Sequence, residues 1–284
     1  MTTSLAPETT LRPLGPGDLA AAQLLSAAVG WPYRVEDWAF ALGLGRGFAL
    51  ERGGMLAGTA MTWGFGPSWG ALGMIIVSPA HQRRGLGRTL LVSAVDELGE
   101  RSIQLHATAE GEALYRRYGF VRTGSVRQHQ GAAFSVGLHA PRPGERIRPA
   151  GAADLAVLMA LDQAATGMPR APVIAALLKE ASGVVLDREG VASGFALLRR
   201  FGRGQVIGPV IAPDRQAAQL LVAHWLGQKQ GEFLRIDVTE ESGLSPWLEE
   251  LGLPEVDRVT RMVRGRPAVP AAVQAFGLVS QALG

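Results

Sequence analysis

The stretch Gln82-Arg83-Arg84-Gly85-Leu86-Gly87 packs cations, an amide and two glycines into six positions. That mixture suits an anion. The apolar run Gly73-Met74-Ile75-Ile76-Val77 leads through Ser78 into Pro79 and predicts the end of a buried strand. Beyond the glycines the period changes: Leu86, Leu90, Leu91, Ala94, Val95 and Leu98 fall on one face of a helix. A strand, a glycine turn and a helix start place free N–H groups and a positive dipole end together, which is an anion site. Gly85 and Gly87 carry no side chain, so a ligand can lie against the backbone. The pattern lacks the third glycine of a dinucleotide fingerprint and the closing Gly-Lys-Ser/Thr of a triphosphate loop.

The turn, with its Val-x-Pro lead-in at Val77-Ser78-Pro79, resembles motif A of the GNAT superfamily of acetyltransferases. Ala113-Leu114-Tyr115-Arg116-Arg117-Tyr118-Gly119-Phe120 resembles motif B of the same superfamily. The resemblance implies that residues 82–89 (Gln82, Arg83, Arg84, Gly85, Leu86, Gly87, Arg88 and Thr89) hold the pyrophosphate of acetyl-CoA. It implies that the strand end Ile75-Ile76-Val77 offers backbone groups to the pantetheine arm, and that Tyr115 lies near the thiol. Arg84 or Arg88 equally suits the 3'-phosphate. A phenol held close can protonate a leaving thiolate; packing of the helix on the sheet is the other reading of Tyr115. The family often has Asn just before the motif B helix, where this chain has Glu110. Many members also carry a glutamate base on the strand before motif A, and Ala71–Ile76 contains no carboxylate. His106, at a strand end that should flank the acetyl group, is the candidate base; a half-exposed histidine with no role is the other reading of it. The resemblance puts the acceptor pocket between the first two helices, where Trp31 reads as its lip and Trp38 as pocket or core.

These groups need elements to position them. Leu11-Arg12-Pro13 predicts a strand, Asp18 a cap for a helix through Leu25, and Val35–Leu44 a second helix. A hairpin turns at Gly53-Gly54. The Ala71–Val77 strand and its helix follow, then a strand at Ser102–Ala107, a short helix from Gly111, and strand again from Phe120. After the linker Pro141-Arg142-Pro143-Gly144 the pattern repeats. Ile147–Ala156 copies Leu11–Ala20, Leu186–Gly194 copies Leu50–Gly58, and Ile236-Asp237-Val238-Thr239 copies Leu105-His106-Ala107-Thr108. The expectation is two tandem GNAT-like α/β domains with mixed α+β sheets, residues 1–140 and 145–284. The second copy lacks the chemistry: Gln216-Ala217-Ala218-Gln219-Leu220-Leu221 replaces the glycine turn and Leu248 replaces Tyr115. Asp162 and Asp237 are then candidates for holding a cationic acceptor, with surface capping as the other reading. Val273, Phe276 and Val279 have helical spacing and suggest a helix within 267–284.

Composition narrows the class. With 47% hydrophobic and 19% charged residues a sizeable core is available, and no run of eighteen apolar residues suggests a spanning helix. The absence of Cys excludes disulfides, thiolate metal sites and a cysteine nucleophile. An isoelectric point near 9.8 overstates the basicity, because the net charge is only +3 and the arginines are scattered. No nucleic-acid or membrane partner is expected. The first eight residues predict a loose tail without a secretion signal, and a cytoplasmic location follows. The reading is an acetyl-CoA-dependent N-acetyltransferase without a metal, a monomer or homodimer, acting on a small amine, amino acid, amino sugar or protein lysine. A non-catalytic acyl-CoA sensor is the alternative.

Overall fold

A computed structural model describes residues 9–132, 136–137, 140–269 and 273–284; the expected tail at residues 1–8 lies outside them. The first half runs β1 (Thr9–Pro13), α1 (Leu19–Ala28), α2 (Val35–Leu44), β2 (Arg46–Arg52), β3 (Met55–Phe65), β4 (Trp69–Val77), α3 (Leu86–Leu98), β5 (Ser102–Ala107), α4 (Ala109–Arg117) and β6 (Val121–Ala132). The second repeats that order: β7 (Glu145–Pro149), α5 (Leu155–Thr166), α6 (Ala171–Glu180), β8 (Ser182–Arg188), β9 (Val191–Phe201), β10 (Gly204–Ala212), α7 (Arg215–Gln228), β11 (Phe233–Thr239), α8 (Ser245–Glu250) and β12 (Glu255–Arg264). A further strand, β13 (Gln274–Gly277), replaces the helix expected there. Strand geometry wins because β13 finds two partners, β10 and β11, with unpaired backbone to satisfy.

The duplication extends to side chains. Arg12 bonds Asp18 and Glu51, and Arg148 bonds Asp154 and Asp187 in the same way. Asp18 does not cap α1 as expected. Its carboxylate turns back to the amide of Gly15 at 2.8 Å and to Arg12, closing the preceding turn instead.

Among the described residues all thirteen strands join one sheet in the order β1-β2-β3-β4-β5-β12-β6-β11-β13-β10-β9-β8-β7. The two halves exchange strands. β12 of the second inserts between β5 and β6 of the first, pairing from Thr260↔Ala107 to Arg264↔Ile103 on one side. β6 in turn pairs with β11 from Phe233↔Ala132 to Thr239↔Val126. Both pairings are antiparallel, so each copy's last strand is completed by the other's.

Among the described residues the sheet separates three large cores. Leu90, Leu91 and Phe120 pack α3 and α4 on the first half, and Leu221, Leu226 and Leu248 pack α7 and α8 on the second. The opposite face is one continuous core in which Trp38 and Trp63 of the first half meet Leu158 and Phe195 of the second.

Candidate functional site

The site begins with a bulge. β3 and β4 pair at Thr59↔Ile76 and at Met61↔Gly73, so β4 carries an extra residue between them. Met74 takes it up with φ 51°, left-handed for a side-chain-bearing residue, and the Thr59 hydroxyl donates to its carbonyl at 3.0 Å. The bend turns β4 away from β5. Their parallel pairing covers Trp69↔Ser102 to Ala71↔Gln104 and stops. Leu72–Val77, which includes the predicted Ile75, Ile76 and Val77, therefore presents an unpaired backbone edge to a widening gap.

At the end of β4 the chain makes the predicted turn. Gln82 Nε2 donates to the Val77 carbonyl at 3.3 Å, pinning the turn to the strand. Arg83 and Gly85 both have left-handed backbones, φ 60° and 80°, the kind of turn conformation from which backbone amides can form an anion-binding nest. Gly85 is the N-cap of α3 and supplies no side-chain acceptor, which leaves the first-turn amides free. Gln82, Arg83, Arg84, Arg88 and Thr89 are exposed around it, while Leu86 anchors the helix in the core. The glycines are not there for packing. A Cβ at Gly85 would meet nothing within 4 Å, and one at Gly87 only Leu114 and Val77 at 3.8 Å. The space above them is free for a ligand, and the residues fit a diphosphate.

Tyr115 lies on α4, edge-on to Phe120 with ring centroids 6.0 Å apart, and packs on the same core cluster as Ile75 and Val77. Thr108 caps α4 by accepting from Gly111. Burial pushes the Tyr115 phenol up to about 12. The hydroxyl stays protonated at neutral pH and is a donor.

His106 sits on β5 two residues beyond the last β4–β5 pair. Its Nδ1 lies 2.7 Å from the carbonyl of Gln281. A carbonyl only accepts, so Nδ1 carries the proton and Nε2 has the lone pair. Nε2 is buried and has no partner among the described residues. Burial is the main influence lowering the imidazole to about 4. His106 is therefore neutral and acceptor-ready throughout the physiological range.

The second-copy carboxylates are placed differently from the expectation. Asp162 is fully buried and takes Nε and Nη2 of Arg170 at 2.8 and 2.9 Å. Asp237, equally buried, is gripped by Arg235 through contacts of 3.1 and 2.8 Å. Each charge is already neutralised, so neither presents an open carboxylate to a cationic acceptor. Trp31, with Tyr33, Arg34 and Arg203, lines a cavity of about 470 Å³ between the α1–α2 connection and the β9–β10 turn, which no residue of β4 or β5 lines. Trp38 is fully buried, with its indole N–H on Ser26, and belongs to the core.

The equivalent site of the second copy is closed twice. Asp214, the N-cap of α7, accepts from Ala217 N at 2.9 Å and is clasped by Arg142; a built-in carboxylate satisfies that helix start. The gap between β10 and β11, whose parallel pairing stops at Val206↔Arg235, is filled by β13. Sequence reasoning identified the lost glycines but not Asp214, which the N-cap preference for Asp made readable.

A bulged strand that parts from its parallel neighbour, a turn of free amides at its end and a protonated phenol on α4 make up the candidate site. The acetyltransferase (GNAT) domain family matches the chain twice, over residues 45–135 and 158–276. The chain is 30% identical over 221 residues to the uncharacterized N-acetyltransferase YitH of Bacillus subtilis (strain 168), covering 75% of this chain and 76% of that protein. It is 27% identical over 260 residues to the holothin acyltransferase of Pseudoalteromonas sp. (strain SANK 73390), covering 82% and 84%. A Pyrococcus horikoshii protein described as an acetyltransferase superposes with TM-score 0.81 at 18% identity, over 100% of this chain and 99% of the other. A tandem GNAT protein from the clavulanic acid biosynthesis pathway gives 0.66 at 15%, over 93% and 100%. The chain belongs to the GNAT acetyltransferase family and is a transferase with two tandem GNAT domains. Among the described residues no group of His, Asp or Glu is arranged to hold a metal ion, and no helix is long and apolar enough to cross a membrane.

Proposed function

We propose that the protein transfers an acetyl group from acetyl-CoA to a primary amine, in the first half only. The observation that carries this reading is the contrast between the two helix starts: α3 keeps its amides free behind Gly85, whereas α7 has its own Asp214. Acetyl-CoA supplies an activated acyl group as a thioester. The nest at Arg83–Gly85, the amides of α3 and the arginines around them hold its diphosphate. The unpaired edge of β4 from Ile75 to Val77 aligns the arm. The amine nitrogen forms a bond to the acyl carbon, the C–S bond breaks, the sulfur gains a proton and the nitrogen loses one. Tyr115 donates to the sulfur as negative charge develops there. His106 Nε2 accepts a hydrogen bond from the amine and orients its lone pair. Holding the two reactants together provides much of the acceleration. The acceptor is a small amine, amino acid, amino sugar or protein lysine, and Trp31 contributes to its approach.

Calorimetry with acetyl-CoA tests the reading. The wild type is expected to bind at a single site, and Gly87→Gln to lose binding. Unchanged affinity in the variant would remove the α3 turn from the site.

A further inference from the structure

The segment after β13 lies across the open gap of the first copy. Gly73 on β4 and His106 on β5 are each two residues beyond the last pair, Ala71↔Gln104, so they face one another across the splay. Gln281 and Ala282 bridge them. The Gln281 carbonyl accepts from His106 Nδ1. Ala282 packs so closely on Gly73 that a Cβ there would come within 3.1 Å of its Cα.

The segment is held mostly by residues of the second copy. Arg199 donates to the carbonyl of Val279 and Arg170 to that of Leu283. The Gln281 side-chain amide reaches Gln128 Oε1 at 3.3 Å and Asp237 Oδ1 at 3.5 Å. Asp237 is the repeat-mate of His106 and is itself fixed by Arg235. Val279, Ala282 and Leu283 are buried in the shared core, which makes the segment a built wall.

We infer that Gln281 is a positioning residue for transfer: held by Asp237 and Gln128, it fixes His106 in the tautomer with Nε2 unprotonated, and with Ala282 it walls the amine side of the reaction. The second copy thus acts on the first copy's chemistry while its own gap stays filled. This rests on the role given to His106 above, so the test separates the two.

Imidazole nitrogen NMR reports the His106 tautomer directly. In the wild type Nδ1 is protonated. In Gln281→Ala the amide anchors are lost, and a second tautomer is expected to appear with Tm nearly unchanged. Turnover is followed with benzylamine, glucosamine and spermidine as probe amines. Gln281→Ala should lower kcat about tenfold, the size of coupling found within one hydrogen-bonded network. The acetyl-CoA KM should stay within about twofold, because the nest is untouched. In a His106→Gln background Gln281→Ala should add nothing further. An unchanged tautomer in Gln281→Ala, or losses that add with those of His106→Gln, would overturn the inference. Wild-type turnover in His106→Gln would instead refute the role of His106, with the tautomer measurement still deciding what Gln281 does. If no probe amine is acetylated, the tautomer alone decides.

Discussion

His106 and Tyr115 are both displaced from their ordinary proton affinities by burial, in directions that keep both neutral. For His106 this has a consequence for stability. Its pKa falls from 6.5 to about 4 on folding, chiefly through burial, with Arg261 and Arg170 adding to the fall and Asp237 and the Gln281 carbonyl opposing it. Between those two values the unfolded chain binds the extra proton. The contribution is therefore fully present above about pH 6.5, declines as pH drops, and is gone near pH 4. The loss is on the order of 3 kcal/mol. Urea unfolding at pH 7 and pH 4.5 should show wild type losing more stability than His106→Gln; equal losses would mean that the imidazole is protonated in the fold. Tyr115→Phe keeps the ring contact with Phe120 and removes the donor. Turnover should fall roughly ten- to thousandfold with acetyl-CoA affinity intact, and steady-state kinetics with calorimetry would check it. Tyr115 was singled out by the resemblance of its segment to motif B, supported by its spacing from the glycine turn. What the sequence could not give was the partner of His106, because Gln281 is 175 positions away and meets it through main chain alone. Asp162 and Asp237 mislead for a related reason: Arg170 and Arg235 stand close in sequence, yet nothing in the spacing says that their guanidinium groups fold back onto these carboxylates.

At the scale of elements, the strand–turn–helix unit from β4 to α3 was nearly complete in the sequence, since a period change, Pro79 and two glycines mark every junction. The structure separates the glycines by role. Gly85 is needed for its backbone, and Gly85→Ala should cost about 1–2 kcal/mol of strain at a left-handed position. Gly87 is within the helix and has room for a Cβ, so Gly87→Gln should leave stability equal or raise it by about 0.5 kcal/mol through helix propensity. Loss of acetyl-CoA binding in a variant that unfolds no earlier, followed by denaturant titration beside calorimetry, would assign Gly87 to the ligand. A destabilised Gly87→Gln would point to packing. The bulge at Met74 was not legible. Ala71–Val77 reads as an even apolar run, and only pairing against β3 shows that one residue is extra. The final segment was misread as a helix because three apolar positions satisfy a helical spacing by chance, whereas the empty gap between β10 and β11 that draws in β13 is a tertiary fact.

At the scale of the whole molecule, the repeat was visible but its closure was not. Each half ends in a strand, and its sequence does not say in which copy that strand will pair. Residues 1–140 and 145–284, expected as units, share one sheet by exchanging β6 and β12, and share the core containing Trp38, Trp63, Leu158 and Phe195. A chain ending near Pro141 would lose β12 from between β5 and β6, and β11 from the other side of β6. It would expose the inner edge of β5, both edges of β6 and one face of the sheet, and edges left open in that way invite association. Such a fragment should not unfold cooperatively, should bind a hydrophobic dye and should aggregate. Co-expressed with residues 142–284 it should be recovered as a one-to-one complex that binds acetyl-CoA, because the exchanged strands can still find one another. A monomeric 1–141 fragment with a sharp thermal transition and full acetyl-CoA affinity would show that β6 can re-pair with β5 alone. In that case the second copy would be dispensable for building the first.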